Sequence, residues 1–252
     1  MWKTGVCSVT FREKSVDEII ELASQAELHS IEWGGDVHVP PGDTSAAART
    51  AEKTKEAGLE VSSYGSYYKA GVENADPFRT VLDTASALGA PSIRIWAGVK
   101  GSDDIEPEER QQVIRDIQDA ASLAKEKGIG VHLEYHGGTL TDTADSARHL
   151  MEELQHPNVQ LYWQPAVGLS LEERLASIET VKPWLRHVHV FFWRGTTRYP
   201  LEDGQEEWRA YFQQIPDSGD RYAMLEFVQD DDPEQFLRDA AVLHKLLTPV
   251  EH

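Results

Sequence analysis

An eight-stranded α/β barrel, the (β/α)8 TIM barrel, is the fold this sequence predicts, and three observations predict it. Short β-branched or aromatic runs alternate with longer amphipathic stretches along the chain. These runs fall near residues 4–10, 29–33, 59–64, 91–97, 129–135, 158–163, 186–193 and 221–228. The 252 residues divide among eight such units at about 31 each, matching the roughly 250 residues a barrel of this kind needs. Strands joined by helical crossovers run parallel, and eight of them close on themselves. An open doubly wound sheet would carry a glycine-rich phosphate turn after its first strand. Here the residues are Val9-Thr10-Phe11-Arg12-Glu13. No linker, low-complexity tract or composition shift divides the chain, so residues 1–252 are expected to form a single domain.

The crossovers carry their own start and stop signals. Ser15-x-x-Glu18 reads as a capping box opening the first helix, with Ile19, Ile20 and Leu22 following. Asp43 is positioned to cap the second helix and Gly58 to stop it. Asp76-Pro77 opens the third, which Gly89 ends; Pro107 starts a fourth that ends at Gly128. Thr143, Ser170 and Asp232-Pro233 are the later starts.

Composition narrows the function classes. Hydrophobic residues make up 40% of the chain, enough for a sizeable core. Asp plus Glu is 43 against 24 Lys plus Arg, a net charge of −19 with no local basic patch, which argues against nucleic acid and anionic membranes as partners. A single cysteine, Cys7, excludes a disulfide framework and a thiolate metal cluster within one chain. With no apolar leader after Met1 and no run near the roughly 18 residues of a membrane span, the expected location is cytoplasmic.

Side chains alternate across a strand, so each run splits into two faces. In the fifth, Val131, Leu133 and Tyr135 oppose His132, Glu134 and His136. In the seventh, Val188, Val190 and Phe192 oppose His187, His189 and Phe191. The apolar set suits the layer under the helices, which leaves Glu32, Arg94, Glu134, Gln164, His187, His189 and Glu226 pointing into the barrel. Burying so many ionisable groups costs several kcal/mol each unless they are paired or bind a metal. Glu134, Gln164, His189 and Glu226 lie within the last few residues of four strands, the end where barrel active sites are built. Two carboxylates, an imidazole and an amide oxygen form a hard N/O set suited to Mn²⁺, Mg²⁺, Co²⁺ or Zn²⁺. The alternative for these residues is an internal hydrogen-bonded network, with Arg94 neutralising Glu134 or Glu32.

Ser30-Ile31-Glu32-Trp33, Leu133-Glu134-Tyr135-His136, His187-Val188-His189-Val190 and Met224-Leu225-Glu226 together resemble the xylose-isomerase-like barrels. These form the sugar-phosphate isomerase/epimerase superfamily, which also holds the endonuclease IV type of abasic-site nuclease. The resemblance covers essentially the whole chain. It implies one divalent ion held by a Glu, an Asp, a His and a Glu on strands five to eight, which fall on Glu134, Gln164, His189 and Glu226. Two departures stand out: Gln164 replaces the Asp, and Gln164-Pro165-Ala166-Val167 lacks a His that often follows three residues later. The resemblance further implies a proton transfer beside a carbonyl, with Glu134 and Glu226 as the two acid–base groups of a sugar or polyol isomerase or epimerase. Loss of a β-hydroxyl in the same geometry gives a dehydratase, and a barrel without turnover gives a sugar-binding protein.

The expected substrate contacts are Arg94, His136 and His187 on the strands and Tyr64, Trp96 and Trp193 at strand ends. His38, in the loop Gly34–Pro41, and Arg194, after the seventh run, complete the set. Three consecutive acids, Asp230 to Asp232, disfavour a phosphorylated substrate and point to a neutral or weakly charged sugar, keto-sugar or polyol. A homo-oligomer is compatible with the sequence, which shows no apolar stripe to specify one.

Overall fold

Each of the eight runs overlaps a strand in the computed structural model, which describes residues 2–72, 78–215, 217 and 221–248. The strands are β1 (Trp2–Cys7), β2 (Ser30–Gly34), β3 (Glu60–Lys69), β4 (Ser92–Trp96), β5 (Gly130–Glu134), β6 (Val159–Trp163), β7 (Leu185–Val190) and β8 (Arg221–Leu225). Every neighbouring pair is parallel, and β8 returns to β1, closing the barrel. The helices between them are α1 (Val16–Gln25), α2 (Thr44–Glu56), α3 (Phe78–Leu88), α4 (Pro107–Glu126), α5 (Ala144–Leu154), α6 (Leu171–Val181), α7 (Gln205–Gln214) and α8 (Pro233–Leu247). Among the described residues no helix is long and apolar enough to cross a membrane.

The helix starts follow from local chemistry. Ser15 and Ser170 each accept a bond from the backbone N–H three residues on while Glu18 and Glu173 accept one back, completing two capping boxes. Asp43, Thr143 and Asp232 cap α2, α5 and α8 through their side chains, and Pro107 is the first residue of α4. The Asp76-Pro77 start lies outside the described residues. Three runs stop three residues before the sequence suggests: the first at Cys7, the seventh at Val190 and the eighth at Leu225. After Cys7 the chain turns into a 3₁₀ helix over Ser8–Phe11, and after Val190 it forms a two-residue hairpin pairing Trp193–Arg194 with Thr197–Arg198. The third is longer: β3 continues to Lys69, with irregular pairing to β4 beyond Gly65.

The large apolar core fills the layer between strands and helices and contains Val131, Leu133, Tyr135, Val188 and Val190. A second, smaller cluster, Cys7, Val9, Tyr162, Tyr222 and Met224, lies inside the barrel. The interior is stratified. At its lower end His132 and His187 pack at a tilt of 55° with centroids 5.1 Å apart, beside Tyr162 and Tyr222. His187 Nδ1 accepts a bond from the Tyr222 backbone N–H at 3.0 Å. Burial, reinforced by the charge of Arg186, pushes His132 down to about 3, and burial with His132 and Arg186 pushes His187 well below its usual range. The carboxylates, Arg94 and His189 lie above, toward the strand C-termini.

Both lower imidazoles stay neutral in the folded chain, whereas in the unfolded chain they protonate near pH 6.5. The unfolded state therefore binds more protons as pH falls below 6.5, and stability is lost from there down toward the folded-state value of about 3 for His132. His132→Gln removes one such site. Urea unfolding at pH 6.5 and 4.5 is expected to show a pH slope smaller by up to about 1.4 kcal/mol per pH unit. An unchanged slope would show that His132 is not held neutral.

Candidate active site

The C-terminal strand ends open into a cavity of about 540 Å³, within the roughly 300–1,000 Å³ usual for small-molecule sites. Its floor draws on four strands, with Glu134, Gln164 and Glu226 lining the cavity and His189 fully buried next to them. Glu134 ends β5 and Gln164 follows β6; His189 is the penultimate residue of β7 and Glu226 follows β8. His189 Nδ1 is their centre, 3.1 Å from Gln164 Oε1, 3.6 Å from Glu226 Oε2 and 3.9 Å from Glu134 Oε1. Gln164 Nε2 donates a long bond of 3.4 Å to Glu134 Oε1. Gln164, Glu226 and Glu134 thus each place an oxygen within 4 Å of His189, while the tightest grouping of ligand-type side chains among the described residues is Cys7, His189 and Glu226, without Glu134.

The groups behind them fix their orientation. Arg94, 5% exposed, binds Glu32 Oε1 through Nε at 2.9 Å and Glu134 Oε2 through Nη1. Trp96 Nε1 donates to the same Glu134 oxygen at 2.6 Å. Glu134 Oε2 is thus fully engaged, and Oε1 is left facing His189 and Gln164. Glu32 Oε2 accepts from Ser63 at 2.5 Å, and Ser63 Oγ accepts from Tyr162 at 2.9 Å. Glu32 Oε1 lies 3.8 Å from His189 Nε2, which makes no closer hydrogen bond among the described residues. That places a carboxylate behind the imidazole, the arrangement that orients a metal-ligating His and sets its tautomer.

Electrostatics differ across the floor. Burial pushes the Glu134 carboxyl up, but the charge of Arg94, with His189, outweighs it and holds Glu134 below the usual carboxylate range. Glu32 is likewise held well below, Arg94 overcoming its burial. Glu226 is raised: burial pushes it up, Glu134 adds to that, and His189 opposes only in part. The Cys7 thiol shares the cluster with His189 and Glu226, but burial and the charge of Glu32 push it up, so it stays protonated. Burial pushes the His189 imidazole down, but Glu226 and Glu32 outweigh it and raise it, so three buried carboxyls face two cationic groups, Arg94 and His189, and the floor's oxygen and nitrogen donors suit a divalent cation.

Of the expected substrate contacts, Arg94, Trp96, His136 and Trp193 line the cavity. Trp96 and His136 stack nearly parallel, centroids 4.8 Å apart at 19°, as one flat wall. Trp193 packs against Phe191 and Phe227 as another. Four expected contacts do not line it. Tyr64 is fully buried on the helix side, donating to Val39 O, because β3 runs on to Lys69 and leaves Tyr64 in mid-strand. His187 pairs in register with Tyr162, one layer below His189. His38 folds back against Trp33, with Nε2 2.9 Å from Lys14 O. Arg194 turns outward onto Phe192 and pairs with Glu207.

The structure adds wall residues that sequence reasoning passed over. Arg12 reaches the cavity from the turn after β1, and Asp142 from the loop before α5. Phe227, beside Glu226, adopts a left-handed φ of 54°, rare for a bulky residue, which aims its ring into the cavity. Alternation within strands gives no signal for any of the three. The nearest sequence cue is the placement of Arg12 and Phe227 just past strand ends.

The Glu32–Arg94 pair depends on a missing side chain. A Cβ at Gly65 would fall 2.7 Å from Glu32 Oε1 and 3.0 Å from Arg94 Nη2. Gly65→Ala is therefore expected to lower the unfolding free energy by about 1–3 kcal/mol in urea titration. Wild-type stability in that variant would show that the pair does not need the space.

A model of the xylose isomerase-like TIM barrel family matches residues 20–246. The chain is 26% identical over 204 residues to a 3-dehydroshikimate dehydratase of Bacillus anthracis, covering 74% of this chain and 70% of that one. Among solved structures it superposes on the probable 3-DHS dehydratase AsbF of Bacillus anthracis with a TM-score of 0.81 and 22% identity, over 97% of this chain and 99% of that one. D-Psicose 3-epimerase of Clostridium cellulolyticum H10 gives a TM-score of 0.75 at 15% identity, over 97% and 98%. With its closed parallel barrel and a family match over most of its length, the chain belongs to the xylose isomerase-like TIM barrel family.

Proposed function

We propose that this protein is a divalent-metal-dependent dehydratase, removing water from a cyclic β-hydroxy ketone of the 3-dehydroshikimate class. The observation that carries the reading is the placement of Glu134 and Glu226 on either side of His189, on the floor of a cavity walled by flat rings. The 26% identical dehydratase supports the substrate class. A six-membered ring that becomes planar and aromatic after losing water suits the flat faces that Trp96–His136 and Trp193–Phe227 offer.

Glu134, Gln164, His189 and Glu226 would hold the ion, which when bound supplies a Lewis acid for the substrate carbonyl. The remaining work belongs to the chain's own side chains. One of the two glutamates takes the proton from the carbon beside the carbonyl. The electron pair left behind forms a carbon–carbon double bond as the β-hydroxyl departs. The other glutamate delivers the proton that makes the departing group water. Glu32 and Arg94 hold His189 and Glu134 in place during the transfer, and the ring walls exclude bulk water. Epimerisation would use the same two glutamates while retaining the hydroxyl.

Incubating the protein with Mn²⁺ and 3-dehydroshikimate is expected to yield 3,4-dihydroxybenzoate, followed by its ultraviolet absorbance. Glu134→Gln should lower kcat by about 10²–10⁴-fold while circular dichroism stays unchanged. Epimer formation from a ketohexose without dihydroxybenzoate would return the protein to the epimerases. Absence of either product from Mn²⁺-loaded protein would leave a binding barrel.

A further inference from the structure

Resting on the dehydratase reading, we propose that Arg12 is the residue that selects substrates bearing a carboxylate, by binding that group at the cavity rim. The cavity floor cannot do so. Arg94, the other arginine in the cavity wall, is consumed by Glu32 and Glu134, and Glu226 adds a further acid beside it. A substrate carboxylate placed there would meet three buried acids. Any acid that enters has to turn its charged end toward the rim.

Arg12 is built for that end. Its Nε donates to Asp36 Oδ2 at 2.6 Å and its Nη2 to Tyr67 Oη at 3.0 Å. Tyr67 Oη in turn donates to Asp36 Oδ2 at 3.2 Å, closing a triangle that fixes the guanidinium plane. The Phe227 ring supports it from below, 5.7 Å from centroid to Cζ. A guanidinium has five N–H groups, and these contacts use two, both on its Nε–Nη2 edge. The edge formed by Nη1 and the second Nη2 hydrogen makes no hydrogen bond among the described residues and has the fork geometry that matches a carboxylate. Arg12 and Tyr67 both line the cavity, and the Arg12 side chain is 43% exposed, open to an entering anion. Phe227 and Arg12 thus combine a flat face with a fixed cation, the features of a ring carrying an acid group.

Isothermal titration with 3,4-dihydroxybenzoate and with catechol, the same ring without the acid, tests this directly. Wild-type protein is expected to bind the acid about tenfold or more tightly than catechol. Arg12→Met should abolish that preference and leave catechol affinity unchanged, and Arg12→Lys should restore it in part, since lysine keeps the charge without the fork. Equal affinities in the wild type, binding of neither probe, or a preference that survives Arg12→Met would each overturn the assignment. Should 3-dehydroshikimate fail to turn over while the acid preference follows Arg12, the dehydratase reading falls and the carboxylate site stands.

Discussion

Arg94 bridging Glu32 and Glu134 inside the barrel is the interaction on which the rest of the site depends. Removing a guanidinium and carboxylates from water costs several kcal/mol per ion, and only close, geometrically correct pairing offsets it. Much of the upper interior follows from that requirement. Gly65 leaves the space the pair occupies, Ser63 satisfies the second Glu32 oxygen, and Tyr162 donates to Ser63 behind it. Trp96 shares the Glu134 oxygen that Arg94 holds, so the other oxygen turns toward His189. Removing Arg94 would leave Glu32 and Glu134 as buried carboxylates without their shared counter-charge, which is why the lattice reads as one cooperative unit.

The same lattice is incomplete by charge. Glu32, Glu134 and Glu226 outnumber Arg94 and His189, and the deficit lies around His189 Nδ1, which has an oxygen of Gln164, Glu226 and Glu134 each within 4 Å. In the proposed reaction a divalent ion meets that deficit, and the glutamates that balance it are the ones that move protons. Gln164, standing where the family pattern has an Asp, supplies oxygen without charge, so the balance is closer to neutral than with three carboxylates. Stability and chemistry are thus met by one set of residues, with the ring walls above them deciding what shape of molecule approaches.

Much of this was legible in the sequence because it rests on periodicity. Alternation within β5 and β7 puts Glu134 and His189 on the inner face, and the capping residues Ser15, Asp43, Thr143, Ser170 and Asp232 act locally, within three residues of themselves. What was not legible depends on where a strand stops and how a loop folds back. Tyr64 looks like a strand end until β3 is seen to continue to Lys69, which leaves it in mid-strand. His187 shares a face with His189 but sits one layer lower, and inward-facing polarity alone does not resolve depth. His38 and Arg194 are drawn off by Lys14 and Glu207, partners distant in sequence or created by a hairpin. Arg12 and Phe227 occupy turns outside any periodic pattern, and the left-handed backbone at Phe227 has no sequence signature.

Titration of purified, chelator-treated protein with Mn²⁺, with the free ion followed by electron paramagnetic resonance, tests the central claim most directly. About one ion per chain should be bound, with affinity lost by about tenfold or more in both His189→Ala and Glu226→Gln, while Arg94 and Glu32 keep the barrel folded. Absence of binding, or binding unaffected by both substitutions, would mean that the buried charge deficit is met by protonation instead and that the site does not work through a metal.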